Sequence, residues 1–167
     1  MAFLKKHLER SAYVPYFAYN QLADPGQFAK LGIFCKGAVP VRLPEHRLVF
    51  NVLEDVYFRF EKRGVANIIP SGADYVEGVL YQVHAESLNL LDQYAGVMDF
   101  KYYRKLVKVI SQEGRKMQAL TYAAWPDVTS EGLLPSRHYI NQLVSAADRF
   151  QFSESFKLWL QQHPTTR

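Results

Sequence analysis

Six runs rich in aromatic and β-branched residues recur between residues 14 and 124. They are "VPYFAY" (14–19), "HRLVFNV" (46–52), "VANIIP" (65–70), "YVEGVLYQV" (75–83), "YYRKLVKVI" (102–110) and "KMQALTYAA" (116–124). Such residues suit a pleated, half-buried surface, so each run reads as a strand. One helical pattern, "AESLNLLDQYAG" (85–96), interrupts them, and two more follow at the end, "PSRHYINQLVSAADRF" (135–150) and "SESFKLWLQQH" (153–163). Strands first and helices last, without regular β–α alternation, predicts an α+β fold: a small, mixed, mostly antiparallel sheet or β-barrel with packed helices.

Local signals refine this expectation. The 85–96 helix carries Leu88, Leu91 and Ala95 on one stripe and stops at Gly96. Pro135 and Ser136 start the second helix, and Ser153 caps the third, which is expected to bury Phe156, Trp159 and Leu160. "PSGAD" predicts a proline turn that ends the 65–70 strand, and "SQEGR" predicts a hairpin turn. Gly78 in mid-strand marks a bulge, a bend or a close backbone approach.

The 167 residues fit a single domain, 1–167, and an apolar fraction of 49% supplies a core. Cys35 is the lone cysteine, so it forms no bridge within the chain and no multi-cysteine metal site. Its "GIFC" setting predicts burial. A lone cysteine suits a reducing compartment, and "MAFLKKHLER" lacks the apolar run of a signal peptide, which together predict a cytoplasmic protein. No run approaches the roughly 18 apolar residues of a membrane span, so no membrane partner is expected. A net charge of +4 permits a polyanion partner without demanding one.

Several chemistries lose support. There is no G-x-G-x-x-G, G-x-x-x-x-G-K or G-x-S-x-G. "HAE" (84–86) begins like a zinc deaminase signature, but the required P-C-x-x-C is missing, so His84 reads as a polar residue at a strand-to-helix junction and no metal or cofactor is expected. Through and just past "KYYRKLVK" (101–108), alternation sets Tyr103, Lys105, Val107 and Val109 on one face and Tyr102, Arg104, Leu106 and Lys108 on the other. Neither face is cleanly basic, which favours a half-solvated strand over a nucleic-acid platform. Glu54-Asp55 reads as a solvated acidic patch.

Six segments in register carry a resemblance. "YFAY" (16–19), "HRLVFN" (46–51), "GVANIIPSGADYVEGVLYQV" (64–83), "LNLLDQYAGV" (88–97), "YYRKLVKV" (102–109) and "PSRHYINQLVSAAD" (135–148) together resemble the γ-glutamylcyclotransferase-like family over nearly the whole chain. The resemblance implies a small mixed barrel with a ligand cavity at one end. It also implies a chemistry, the release of 5-oxoproline from γ-glutamyl compounds. There the substrate's own α-amine attacks its γ-carbonyl. A general base must free that amine, and positioned donors must hold the developing oxyanion.

Two departures stand at that implied site. The family's base is a glutamate in a segment like L-D-x-x-E-G; here Leu91, Asp92 and Gly96 are kept, and the glutamate position is Ala95. Asp92 matches an aspartate that the family carries beside the glutamate, so it is expected to brace the helix end. The family's binding loop reads like Y-G-S-N-L; here it is "YNQL" (19–22), one residue shorter and without the glycine that lets backbone approach a ligand. Tyr19, Asn20, Gln21, Leu22 and Ala95 are thus the expected ligand-binding residues. Tyr139, which matches a tyrosine in the family's late "PS-x-x-Y" helix, joins them, with a core tyrosine as its alternative. The leading expectation is a small-molecule-binding member with little or no turnover. The alternatives are an active cyclotransferase using Asp92, Glu77 or Asp99 as substitute base, and a module that binds a protein or an RNA.

Overall fold

The computed structural model describes residues 12–54 and 62–166. Asp55 and the N-terminal stretch weighed as a signal peptide lie outside the described residues. Five strands close into a barrel: β1 (Tyr13–Ala18), β2 (Cys35–Leu53), β3 (Gly64–His84), β4 (Tyr102–Ser111) and β5 (Lys116–Ala124), in the order β1-β3-β2-β4-β5. All pairings are antiparallel except β1 with β5, which meet in parallel at Tyr16 and Leu120 and complete the circle. The helices are α1 (Pro25–Leu31), α2 (Leu88–Ala95), α3 (Arg137–Arg149) and α4 (Glu154–Gln162). The expected mixed, mostly antiparallel barrel with packed helices is the fold observed. Among the described residues, no helix is long and apolar enough to cross a membrane.

Alternation along the strands builds the core. On β4, Val107, Val109 and Ser111 are buried while Arg104, Leu106 and Lys108 face out, so this strand is half solvated as its pattern predicted. Gly78 is a close-approach glycine. A Cβ there would lie 2.4 Å from Phe17 Cε2 and 2.5 Å from the Ala18 carbonyl oxygen, so its missing side chain lets β1 seat Phe17 against β3.

Three expectations are corrected, and one helix is added to those expected. "PSGAD" does not end a strand. Pro44 pairs with Tyr75 and His46 with Pro70, so residues 71–74 oppose Glu45 alone. The turn chemistry is absorbed as a wide bulge within one long strand, with Ser71 hydrogen-bonded to Asp74 and Glu45 in the left-handed region at φ 60°. Trp159 is exposed: on α4 only Leu160 is fully buried, and Trp159 lies instead along the surface beside Phe50, with near-parallel rings 6.2 Å apart. Cys35 is half-buried, because it opens β2 at the barrel's end. Helix α1 went unread, although Asp24 caps it at Gly26 N and Pro25 occupies its first turn.

Candidate functional site

Two chain reversals frame the mouth of the barrel. The first follows β1. Tyr19 is buried, and its hydroxyl donates to the Tyr122 carbonyl at 2.6 Å. The Asn20 side chain then accepts from Leu22 N at 2.9 Å and caps a 3₁₀ turn over Gln21–Ala23. Leu22 is buried beneath that turn, and the Ala23 carbonyl accepts from the Tyr81 hydroxyl at 2.7 Å. The Asn20 cap, the buried Leu22 and the bonded Ala23 carbonyl pin this short loop, which is how the chain turns here without a glycine.

The second reversal ends α2. Leu91 is fully buried and anchors the helix on the barrel; Leu88 and Ala95 pack more loosely on the same side. The chain leaves through Gly96, left-handed at φ 69°, and the aliphatic part of Lys101 folds over that glycine. Gln21 Nε2 donates to the Tyr94 hydroxyl, so the two reversals are bonded to each other across the mouth.

Between them lies a cavity of about 390 Å³. Tyr19, Asn20, Gln21, Leu22, Ala95 and Tyr139 all line it, so the structure brings these sequence-predicted residues together. The three candidate substitute bases separate. Asp99 lines the cavity at an exposed position. Asp92 is not among the lining residues: its carboxylate takes both prongs of Arg104 and accepts from the Tyr122 hydroxyl at 2.6 Å. Glu77 lies outside the cavity lining as well, where it accepts from Ser153 N at 3.1 Å and Ser153 Oγ at 2.7 Å and so fastens the start of α4 to β3.

Six tyrosines stand among the described lining residues: Tyr16, Tyr19, Tyr94, Tyr102, Tyr122 and Tyr139. Burial raises the pKa of each, Tyr94 to about 12. They are neutral phenols at physiological pH. The hydroxyl protons of Tyr19, Tyr102 and Tyr122 are already used, Tyr102 donating to the Ala66 carbonyl at 2.7 Å, and the Tyr139 oxygen accepts from Ala66 N at 3.1 Å. These four offer a ligand ring surface more than free hydroxyls. The charged members of the lining are Glu54, Asp99 and Lys101, and burial lowers the Lys101 pKa. Glu54, expected to be a solvated acid, is half-buried in this wall. Its only local signal was its place at the end of a strand run. The tyrosine lining was visible as an aromatic-rich composition but not as a site.

Comparison with known proteins agrees with this fold. The sequence profile of the AIG2-like family matches residues 75–160. Human γ-glutamylcyclotransferase is 32% identical over 81 residues, which cover 48% of this chain and 43% of that protein. A solved structure of a γ-glutamyl cyclotransferase superposes with a TM-score of 0.80 at 23% identity, covering 92% of this chain and 89% of its own. A yeast γ-glutamyl cyclotransferase specific to glutathione superposes with a TM-score of 0.70 at 10% identity, covering 89% and 94%. At these identities the structural likeness shows a common fold.

Proposed function

The chain belongs to the AIG2-like family, and from that premise we propose that it is a γ-glutamylcyclotransferase-related protein whose cavity binds a small γ-glutamyl-type or related ligand with little or no turnover. The observation that carries this reading is the contrast between Ala95 and Asp92. Ala95 lines the cavity with a methyl group at the position where the resemblance expects the base. Asp92, one helical turn away, is committed to Arg104 and Tyr122. A carboxylate held by a guanidinium and a phenol is a poor proton acceptor, because both partners stabilise its charged form. The pinned "YNQL" turn adds to this: Leu22 N donates to Asn20 Oδ1, Ala23 N to the Asn20 carbonyl and Asp24 N to the Gln21 carbonyl, so these backbone donors are spent inside the turn and are not turned toward a developing oxyanion.

The decisive assay is 5-oxoproline release from γ-glutamyl amino acids, paired with a binding measurement on the same compounds. Binding in the millimolar range or tighter without measurable release supports the reading. Ordinary turnover refutes its inactive part.

One observation favours a second reading. Asp99 is a carboxylate in the cavity lining, outside the Arg104 network. An active cyclotransferase using Asp99 as its base predicts turnover in the unmodified protein that Asp99→Asn abolishes.

A further inference from the structure

Of the carboxylates near the cavity, Glu54 is set apart by its position. Asp92 is spent on Arg104, Glu77 on Ser153, and Asp99 is exposed at the mouth. Glu54 is half-buried within the lining. Its backbone is fixed where β2 and β3 end their ladder: Leu53 pairs with Gly64, and Glu54 N donates to the Arg63 carbonyl at 2.8 Å. Among the described residues, no hydrogen bond or ion pair engages its side chain. Burial chiefly raises the Tyr139 pKa and the negative charge of Glu54 adds a smaller push, so the carboxylate stands within electrostatic reach of that ring.

We propose that Glu54 holds the ammonium group of the cavity's ligand. The proposal rests on the reading of this cavity as a γ-glutamyl-type ligand site. A ligand with a primary ammonium needs a negative partner where water is partly excluded, and position 95 no longer supplies one. A half-buried carboxylate provides it, and charge-assisted hydrogen bonds of this kind are about twice as strong as neutral ones. Tyrosine rings on the surrounding wall add a second attraction for a cation. The tyrosines leave few hydroxyls for polar recognition, which concentrates selectivity for charge on the few ionised groups. Glu54 therefore selects ligands by their amine and performs no chemistry on it.

The test uses two probes that differ in one group: γ-glutamyl-alanine, and glutaryl-alanine, which lacks the α-ammonium. Affinities of the full chain and of Glu54→Gln are measured for both by calorimetry, with circular dichroism and melting curves as folding controls. The unmodified protein is expected to prefer γ-glutamyl-alanine by about ten- to hundredfold, the worth of one hydrogen-bonded charge pair. Glu54→Gln should erase that preference while leaving the affinity for glutaryl-alanine within about twofold. If the variant keeps the preference, or if Asp99→Asn erases it instead, the ammonium sits elsewhere and the proposal fails while the ligand reading stands. Equal affinity of the unmodified protein for both probes also overturns it. Failure of the unmodified protein to bind either probe overturns the ligand reading and the proposal together. Should Glu54→Gln fold poorly, Glu54→Asp serves in its place, with a preference that is reduced rather than lost.

Discussion

Arg104 and Asp92 meet in a two-pronged ion pair, Nε to Oδ1 at 2.8 Å and Nη2 to Oδ2 at 2.7 Å. The pair joins β4 to α2, and the Tyr122 hydroxyl adds a third bond from β5. Burial, the largest influence, would raise the Asp92 pKa; the hydrogen bonds from Arg104 and Tyr122 and the charge of Arg104 outweigh it and hold the pKa below the ordinary carboxylate value. Asp92, expected to brace the helix end and a substitute base only under the alternative reading, thus fixes the end of α2, and with it the position of Ala95.

Asp92→Asn should lower stability by about 0.5–1.5 kcal/mol at neutral pH, since it removes the charged acceptor of a two-pronged pair whose Arg104 side is exposed and screened by solvent. The folded carboxyl titrates below its unfolded value of about 3.9. Its contribution is therefore complete above that pH and is lost as pH falls through the lower folded value. Urea midpoints of both proteins from pH 7 to pH 2 should show a gap that is constant to roughly pH 5 and narrows below. A gap that persists undiminished at pH 2 would contradict this account of Asp92.

Gly78→Ala should cost about 1–3 kcal/mol or more, because its Cβ would meet the Phe17 ring and a backbone oxygen that cannot yield. Thermal unfolding measures it. A melting temperature equal to that of the parent would show that β1 and β3 can separate enough to admit a methyl group.

Tyr139→Phe removes the acceptor for the buried Ala66 N–H and should destabilise by about 1–3 kcal/mol. The ring itself stays packed against Phe50, so the loss isolates the hydroxyl. Slower hydrogen exchange at Ala66 in the parent than in the variant would locate the effect. Equal exchange rates would count against the bond.

The fold was legible because its signals were local and repeated: strand runs, caps at Ser136 and Ser153, and a stop at Gly96. "PSGAD" misled because its turn chemistry is real, while the partner strand that keeps β3 continuous across it is distant in sequence. The site was legible at Tyr19 and Ala95, which lie some 76 residues apart but in recognisable segments. Glu54 was not legible. Its role depends on where the end of β2 falls relative to α2 and α3, which only the closed barrel determines. The commitments of Asp92 to Arg104 and of Glu77 to Ser153 were hidden for the same reason, since a carboxylate's partners belong to the tertiary structure.

The unmodified protein should release little or no 5-oxoproline from γ-glutamyl amino acids, and Ala95→Glu alone should restore little. The first half follows from chemistry. A methyl group accepts no proton, and a general base contributes about 10² to 10⁴ in rate. The second half follows from the opposite side of the mouth. A glutamate at 95 would emerge beside Gly96 and the folded-over Lys101, facing a Gln21–Ala23 turn held by Asn20, Tyr19 and Tyr81. That turn presents a side-chain amide already engaged with Tyr94, where the resemblance expects backbone donors. Misplacement of about an ångström costs roughly a hundredfold on its own, so base and donors must be restored together. The assay compares the parent, Ala95→Glu, and Ala95→Glu with a glycine inserted between Tyr19 and Asn20. The expected order is none, trace, and measurable turnover. Full activity in Ala95→Glu without the insertion would show that the short loop already holds the oxyanion and that the missing carboxylate was the whole defect.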